Sequence, residues 1–257
     1  MLLNFKELGD SEARPILALH GLLGSMRNWT SAGRLLAERY RVILIDARNH
    51  GGSVHTQTHT FDDMVGDLLE LLDHLGLDTA TIIGHSMGGK VAMALACRYP
   101  ERVDQLFVVD SAPKDYPAMH DREFEAMNTL DLSSLETRGA ADDHMAKYFD
   151  DWAFRQFLIS NVVRAEDGSF KWLANLPVIE AALLDIAKNP LTLDDVFDGK
   201  TSFLKGGKSN YIEEEDFTDI RFHFPKATIE TWEDSGHNPH FEHRNRFVEW
   251  VYEQINR

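Results

Sequence analysis

One cysteine, Cys97, occurs in this 257-residue chain, which excludes an intrachain disulfide. It sits in the apolar run Val91-Ala92-Met93-Ala94-Leu95-Ala96-Cys97 and reads as a small buried core residue, not as a catalytic thiol. Long hydrophobic runs are missing as well. No stretch approaches about 18 uninterrupted apolar residues, so no segment can span a bilayer as a helix. The opening Met1-Leu2-Leu3-Asn4-Phe5-Lys6-Glu7 has neither a basic start before an apolar stretch nor a small-residue cleavage site, and the expected location is the cytoplasm. Basic residues are in short supply: lysine plus arginine total 26 against 42 for aspartate plus glutamate, a net charge of -16. Such a surface repels phosphate backbones and anionic lipid heads, which argues against nucleic-acid and membrane partners. Repeats and low-complexity segments are also absent.

Enough apolar material remains for a sizeable core, since 43% of residues are hydrophobic against 26% charged. Short continuous apolar runs at residues 15–19, 41–45, 80–83 and 105–109 suit strands buried on both faces, hence a largely parallel sheet. Between them, Thr60-Phe61-Asp62-Asp63 opens a helix as a capping-box variant. Phe61, Met64, Val65, Leu68, Leu72 and Leu75 recur at helical spacing, and Gly76 closes it. A second helix is predicted from residue 87 to about 99, stopped by Pro100. Strands follow at residues 201–204 and 227–231, and a last helix carries Phe247, Val248, Val251, Tyr252 and Ile255. The fold class is α/β, a mostly parallel central sheet with helices on both faces and ligands at the carboxyl ends of the strands. Residues 113–193 break the pattern, with helical patches near 124–130 and 178–187, many aromatics and no convincing β run. They read as a helical cap, with the core formed by 1–112 and 194–257.

Gly84-His85-Ser86-Met87-Gly88 has the form Gly-X-Ser-X-Gly between a predicted strand and a predicted helix, the context of a nucleophilic serine on a strained turn. Serine needs a base at neutral pH. His237, in Asp234-Ser235-Gly236-His237-Asn238-Pro239 after the last strand, is the best placed of 12 histidines. His240 and His243 compete but read as surface residues near the last helix, while His20 and His50 lie on loops at the same edge as pocket-lining candidates. An oxyanion hole calls for two backbone donors: the amide of Met87, and that of Leu22 in His20-Gly21-Leu22-Leu23-Gly24-Ser25. The acid is the open question. The usual position, in the loop after the first strand that follows the cap, holds Ser209 in Gly206-Gly207-Lys208-Ser209-Asn210-Tyr211. Asp110, ending the strand after the nucleophile's helix, is favoured by position. Asp216 and the run Glu213-Glu214-Glu215 are rivals that read better as an exposed acidic helix start.

Together these motifs resemble the α/β-hydrolase superfamily over nearly the whole chain. Three stretches, Asp46-Ala47-Arg48-Asn49-His50-Gly51-Gly52-Ser53, Gly84-His85-Ser86-Met87-Gly88-Gly89-Lys90 and Val109-Asp110-Ser111-Ala112-Pro113, resemble more narrowly the bacterial YbfF-type esterases and a mitochondrial branch of animal α/β-hydrolase-domain proteins. The resemblance implies a carboxylesterase, with acyl-CoA thioesterase activity in some members, and an acid after the earlier strand, matching Asp110 and accounting for Ser209. The expected chemistry is acyl transfer through Ser86, without metal or organic cofactor, on short- to medium-chain esters. The cap aromatics, Trp152 and Phe157 among them, are candidates to line the acyl pocket. A CoA ester would need cations for its phosphates, for which Arg155, Arg164, Lys171 and Lys188 are candidates. Rival expectations are carbon–carbon bond hydrolysis or cofactor-free peroxidase chemistry in the same fold, or a non-catalytic ligand-binding module. Dehalogenase and epoxide hydrolase chemistry would require an aspartate at the Ser86 position.

Overall fold

The apolar runs become the centre of one sheet. In the computed structural model, which describes residues 2–117 and 120–257, β2 (Pro15–Leu19), β3 (Arg41–Ile45), β4 (Ala80–His85) and β5 (Val103–Val109) lie parallel. β8 (Lys200–Gly206) and β9 (Ala227–Trp232) continue the parallel order. An edge strand not foreseen from the pattern, β1 (Phe5–Leu8), pairs antiparallel with β3, and the seven strands run β1-β3-β2-β4-β5-β8-β9. β1 has two half-exposed and two exposed residues, so it lacks the apolar signal that marks the buried strands.

Helices cover both faces. α2 (Phe61–His74), α3 (Met87–Arg98) and α9 (Asp216–His223) pack on one side through Leu68, Val91, Leu95 and Phe224. α1 (Thr30–Leu36) and α11 (Arg244–Asn256) pack on the other through Leu36, Phe247 and Val251, around Trp29 and Trp232. α2 begins where its cap was read: the Thr60 hydroxyl accepts the Asp63 N–H at 3.1 Å, and Gly76 ends the helix at φ 66°. α3 is apolar and small along its length, with Gly88 through Ala96 all buried, so it lies deep between sheet and α2. Cys97 at its end is half-buried, against the edge of that core.

Between β5 and β8 the chain builds α4 (Asp121–Asn128), α5 (Arg138–Met145), α6 (Trp152–Ile159), α7 (Leu176–Ala181) and α8 (Leu183–Ala187). It also contains a hairpin, β6 (Val162–Arg164) and β7 (Phe170–Trp172), where no β run was expected. Three-residue strands are too short to register as alternation; the turn signal at Asp167-Gly168, with Gly168 at φ 85°, is the only local mark. This segment has its own core of Phe124, Met127, Met145, Leu158 and Ile179, closed against Leu23 of the sheet's loop. Most of its aromatics serve that core. The short α10 (Pro239–Glu242) precedes α11. Among the described residues no helix is long and apolar enough to cross a membrane.

Candidate active site

The turn between β4 and α3 has a strained backbone. Ser86 sits at φ 52°, ψ -118°, a conformation non-glycine residues adopt only when surrounding structure imposes it. The imposition is visible in its neighbours. A Cβ on Gly84 would fall 2.2 Å from the Gly88 carbonyl oxygen, and one on Gly88 would fall 2.6 Å from that of His20. The two glycines therefore let β4, α3 and the loop after β2 approach to backbone contact. The Ser86 N–H donates to the Val109 carbonyl at 3.1 Å, tying the turn to β5.

Asp110 ends β5 at φ 49°, wholly buried, and its carboxylate is the hub of the second cluster. His237 Nδ1–H donates to its Oδ2 at 2.7 Å, and the Gly206 amide donates to Oδ1 at 3.0 Å. The Ser209 hydroxyl also donates to Oδ2. Three donors thus converge on this one buried carboxylate. The proton placed on Nδ1 leaves Nε2 of His237 free to accept another. Two further contacts hold His237, one on its ring and one on its backbone. The Tyr211 ring stacks on it at 3.7 Å and 18°, and His85 Nε2–H, next to Ser86 in sequence, donates to the His237 carbonyl at 2.8 Å. The rival acid is elsewhere: Asp216 is buried, not exposed as expected, and accepts from Lys114 Nζ at 2.6 Å, while Glu213 lies 4.0 Å from the same ammonium.

A cavity of about 50 Å³ opens beside the turn, lined by Leu22, Ser86, Met87, Lys90, Tyr116 and Ile186 among others. It thus gathers the nucleophile candidate and the two residues whose amides were read as oxyanion donors. The other pocket candidates do not reach it. Trp152 is 63% exposed in the first turn of α6 and does not line the cavity. Phe157 stacks on Phe154 and packs against the cap's own core. Nor do the four candidate cations line it. Arg155 pairs with Asp142, Arg164 donates to the Gly168 carbonyl, and Lys188 pairs with Asp185.

His20 and His50 stand behind the loop that carries Leu22 and do not line the pocket. The neutral tautomer of His20 donates Nδ1–H to the Gly21 carbonyl at 2.7 Å and accepts the Ala47 N–H at 3.0 Å. His50 donates to the Arg48 carbonyl and accepts the Leu23 N–H at 3.1 Å, holding Leu23 at φ 57°. They shape the turn that presents Leu22. His240, expected at the surface, is buried and stacked on Trp29 at 4.2 Å, whereas His243 is partly exposed beside Asp234. Burial lowers the pKa of five buried histidines. His20, His50 and His85 fall below the ordinary value, His59 falls to about 4 and His240 to about 3, with the neighbouring Arg48 and His237 charges adding to the last two respectively. Because the unfolded chain binds protons from about pH 6.5 downward and the folded chain does not, this stability is complete above 6.5 and is lost as the pH falls toward 4. The urea midpoint should drop steeply over that window, and His240→Phe should flatten the drop. An equal slope in the variant would remove His240 from the account.

Sequence reasoning passed over three side chains here. Ser209 was noted only as a missing aspartate. Tyr211, two residues on, carried no signal of its own. Lys90 had one: it is the only charge before the terminal Arg98 in an otherwise apolar helix.

A strained serine turn at the carboxyl edge of a parallel sheet, with a histidine–aspartate pair held against the adjoining His85, is the architecture of the α/β hydrolases. Residues 14–143 match the α/β hydrolase fold family model, and the chain belongs to that family. Within it the chain is of the esterase and lipase type. It is 37% identical over 237 residues to the sn-1-specific diacylglycerol lipase ABHD11 of Danio rerio, covering 89% of this chain and 74% of the relative. To esterase YbfF of Escherichia coli K12 it is 33% identical over 246 residues, covering 94% and 93%. The solved structure of a marine microorganism esterase superposes with a TM-score of 0.95 at 34% identity, over 98% of both chains.

Proposed function

We propose that this protein is a serine carboxylic ester hydrolase that cleaves short- to medium-chain esters through an acyl-enzyme on Ser86. The observation that carries the reading is the His237–Asp110 hydrogen bond at 2.7 Å, which leaves Nε2 of His237 as the base beside the Ser86 turn. His237 takes the Ser86 proton as the hydroxyl oxygen bonds to the ester carbonyl carbon. The resulting oxyanion lies between the amides of Leu22 and Met87, at the positive end of α3. The tetrahedral adduct then collapses, the carbon–oxygen bond to the alcohol breaks, and His237 returns the proton to the departing alkoxide. Water, deprotonated by the same imidazole, attacks the acyl-enzyme, releases the carboxylic acid and restores Ser86.

The cavity supports the short end of the range. About 50 Å³ is far below the roughly 300–1,000 Å³ of pockets for drug-sized ligands, so it has room for a short acyl group as it stands. His237 is not among its lining residues, and the alcohol must leave on the histidine's side. The cavity is therefore the acyl arm of the site.

The test is a ladder of p-nitrophenyl esters from acetate to dodecanoate, with matching acyl-CoA thioesters, alongside labelling by a fluorophosphonate probe. The expected result is turnover highest on the short esters and a label on Ser86. A protein that takes no label and turns over no ester would overturn the proposal.

A further inference from the structure

Lys90 lies on the same side of α3 as the acyl cavity, one turn after Ser86, with its N–H donating to the Ser86 carbonyl at 3.1 Å. Its side chain is buried, an expensive place for an ammonium unless all its protons find acceptors. They do so in the cap. Nζ donates to the carbonyls of Ile186, Ala187 and Lys188 at 3.3, 2.7 and 2.6 Å, and lies 4.5 Å above the Tyr116 ring. These carbonyls belong to the end of α8, where a helix has no partners of its own to offer. Leu183, Ile186 and Ala187 of that helix also line the acyl cavity.

We propose that Lys90 is a specificity-determining residue: by tying the end of α8 to the nucleophile's helix, it fixes the far wall of the acyl cavity and so limits acyl length. An apolar side chain at this position would leave the Ile186 and Lys188 carbonyls unpaired and Ala187 with only the Tyr116 N–H at 2.9 Å, and the helix end would shift to find water. Other anchors hold the chain just beyond. Arg98 donates to the Pro190 carbonyl at 2.9 Å and Asp115 accepts the Asn189 N–H at 2.6 Å, but neither residue lines the cavity. Lys90 alone joins the cavity wall itself to α3. Burial pushes the ammonium's pKa down to about 7 against the opposing charge of Asp115, and the rings of Tyr116 and Phe61 flank it.

This rests on the serine esterase reading, and its test separates the two. Lys90→Met keeps the aliphatic stem and removes the donors. The ratio of kcat/KM for p-nitrophenyl octanoate over acetate should rise at least about tenfold, the scale on which single methylenes are discriminated in such pockets. Arg98→Met, which frees the neighbouring segment without touching the cavity, should leave the ratio where it was. If Lys90→Met does not fold, Lys90→Arg serves, since a planar fork cannot converge on three carbonyls as an ammonium does. A ratio unchanged in the folded variant, or shifted equally by Arg98→Met, overturns the proposal alone. A parent protein that hydrolyses no ester overturns the esterase reading and this inference with it.

Discussion

Ser86→Ala should abolish ester hydrolysis, with kcat falling about 10⁵- to 10⁶-fold, the loss expected when the covalent step has no nucleophile. The argument is geometric. Ser86 is the hydroxyl on the turn where Leu22 and Met87 meet the cavity. The hydroxyl of Ser209 already donates to Asp110, and Ser111, which also lines the cavity, lies beyond Asp110 on a different strand end. The fold does not depend on the Ser86 hydroxyl, since the turn is held by the Ser86 N–H on Val109 and by the close approach of Gly84 and Gly88. Ser86→Gly should be equally inactive and at least as stable, because glycine accepts φ 52° without strain. Turnover of p-nitrophenyl acetate, read beside a thermal melt by circular dichroism, separates the two effects. A Ser86→Ala protein that melts normally and retains a tenth of parental activity would require another nucleophile.

The parts of this molecule that could be read from sequence were those governed by local rules. β4, the turn at Ser86 and α3 announce themselves through an apolar run, two glycines and a run of small residues stopped by Pro100. α2 does so through Thr60 and Gly76. What depends on side-chain direction stayed hidden. His20 and His50 were placed at the right edge of the sheet, yet their rings turn inward to hold backbone groups, and nothing in a lone histidine says which way it faces. His240 looked like a surface residue because its cover, Trp29, is more than 200 residues away in the chain. The three-residue strands of the cap hairpin and the edge strand β1 fall below the length at which alternation is informative. Asp110 was singled out partly by family resemblance, since position alone left Asp216 in contention. The structure brings Asp110, and not Asp216, to His237.

Asp110→Asn should lower kcat about 10⁴-fold while the protein remains folded. Asparagine matches aspartate in shape, so the Gly206 amide keeps its acceptor on the carbonyl side, while the Ser209 hydroxyl, which shares Oδ2 with His237, must turn to accept from the amide. The other side now presents an NH₂ group to His237 Nδ1. The imidazole must offer a lone pair there, which moves its proton to Nε2 and removes the base from Ser86. Ser209→Ala cuts less deeply. It takes one of three donors from a carboxylate that still bonds His237 at 2.7 Å, a loss of about 1.5–3 kcal/mol in orientation and charge stabilisation. The two variants also differ in acid. With Asp110 intact the histidine keeps its tautomer, so Ser209→Ala should retain a pH profile of parental shape at lower height, whereas Asp110→Asn should lose it. Because the Ser209 hydroxyl already touches the Oδ2 that His237 uses, a carboxylate introduced at that position can approach the same ring nitrogen. Asp110→Asn combined with Ser209→Asp should therefore recover activity over Asp110→Asn alone. A double variant no better than the single one would mean that the φ 49° turn at Asp110, and not the carboxylate's mere presence near Nδ1, sets the geometry the imidazole needs.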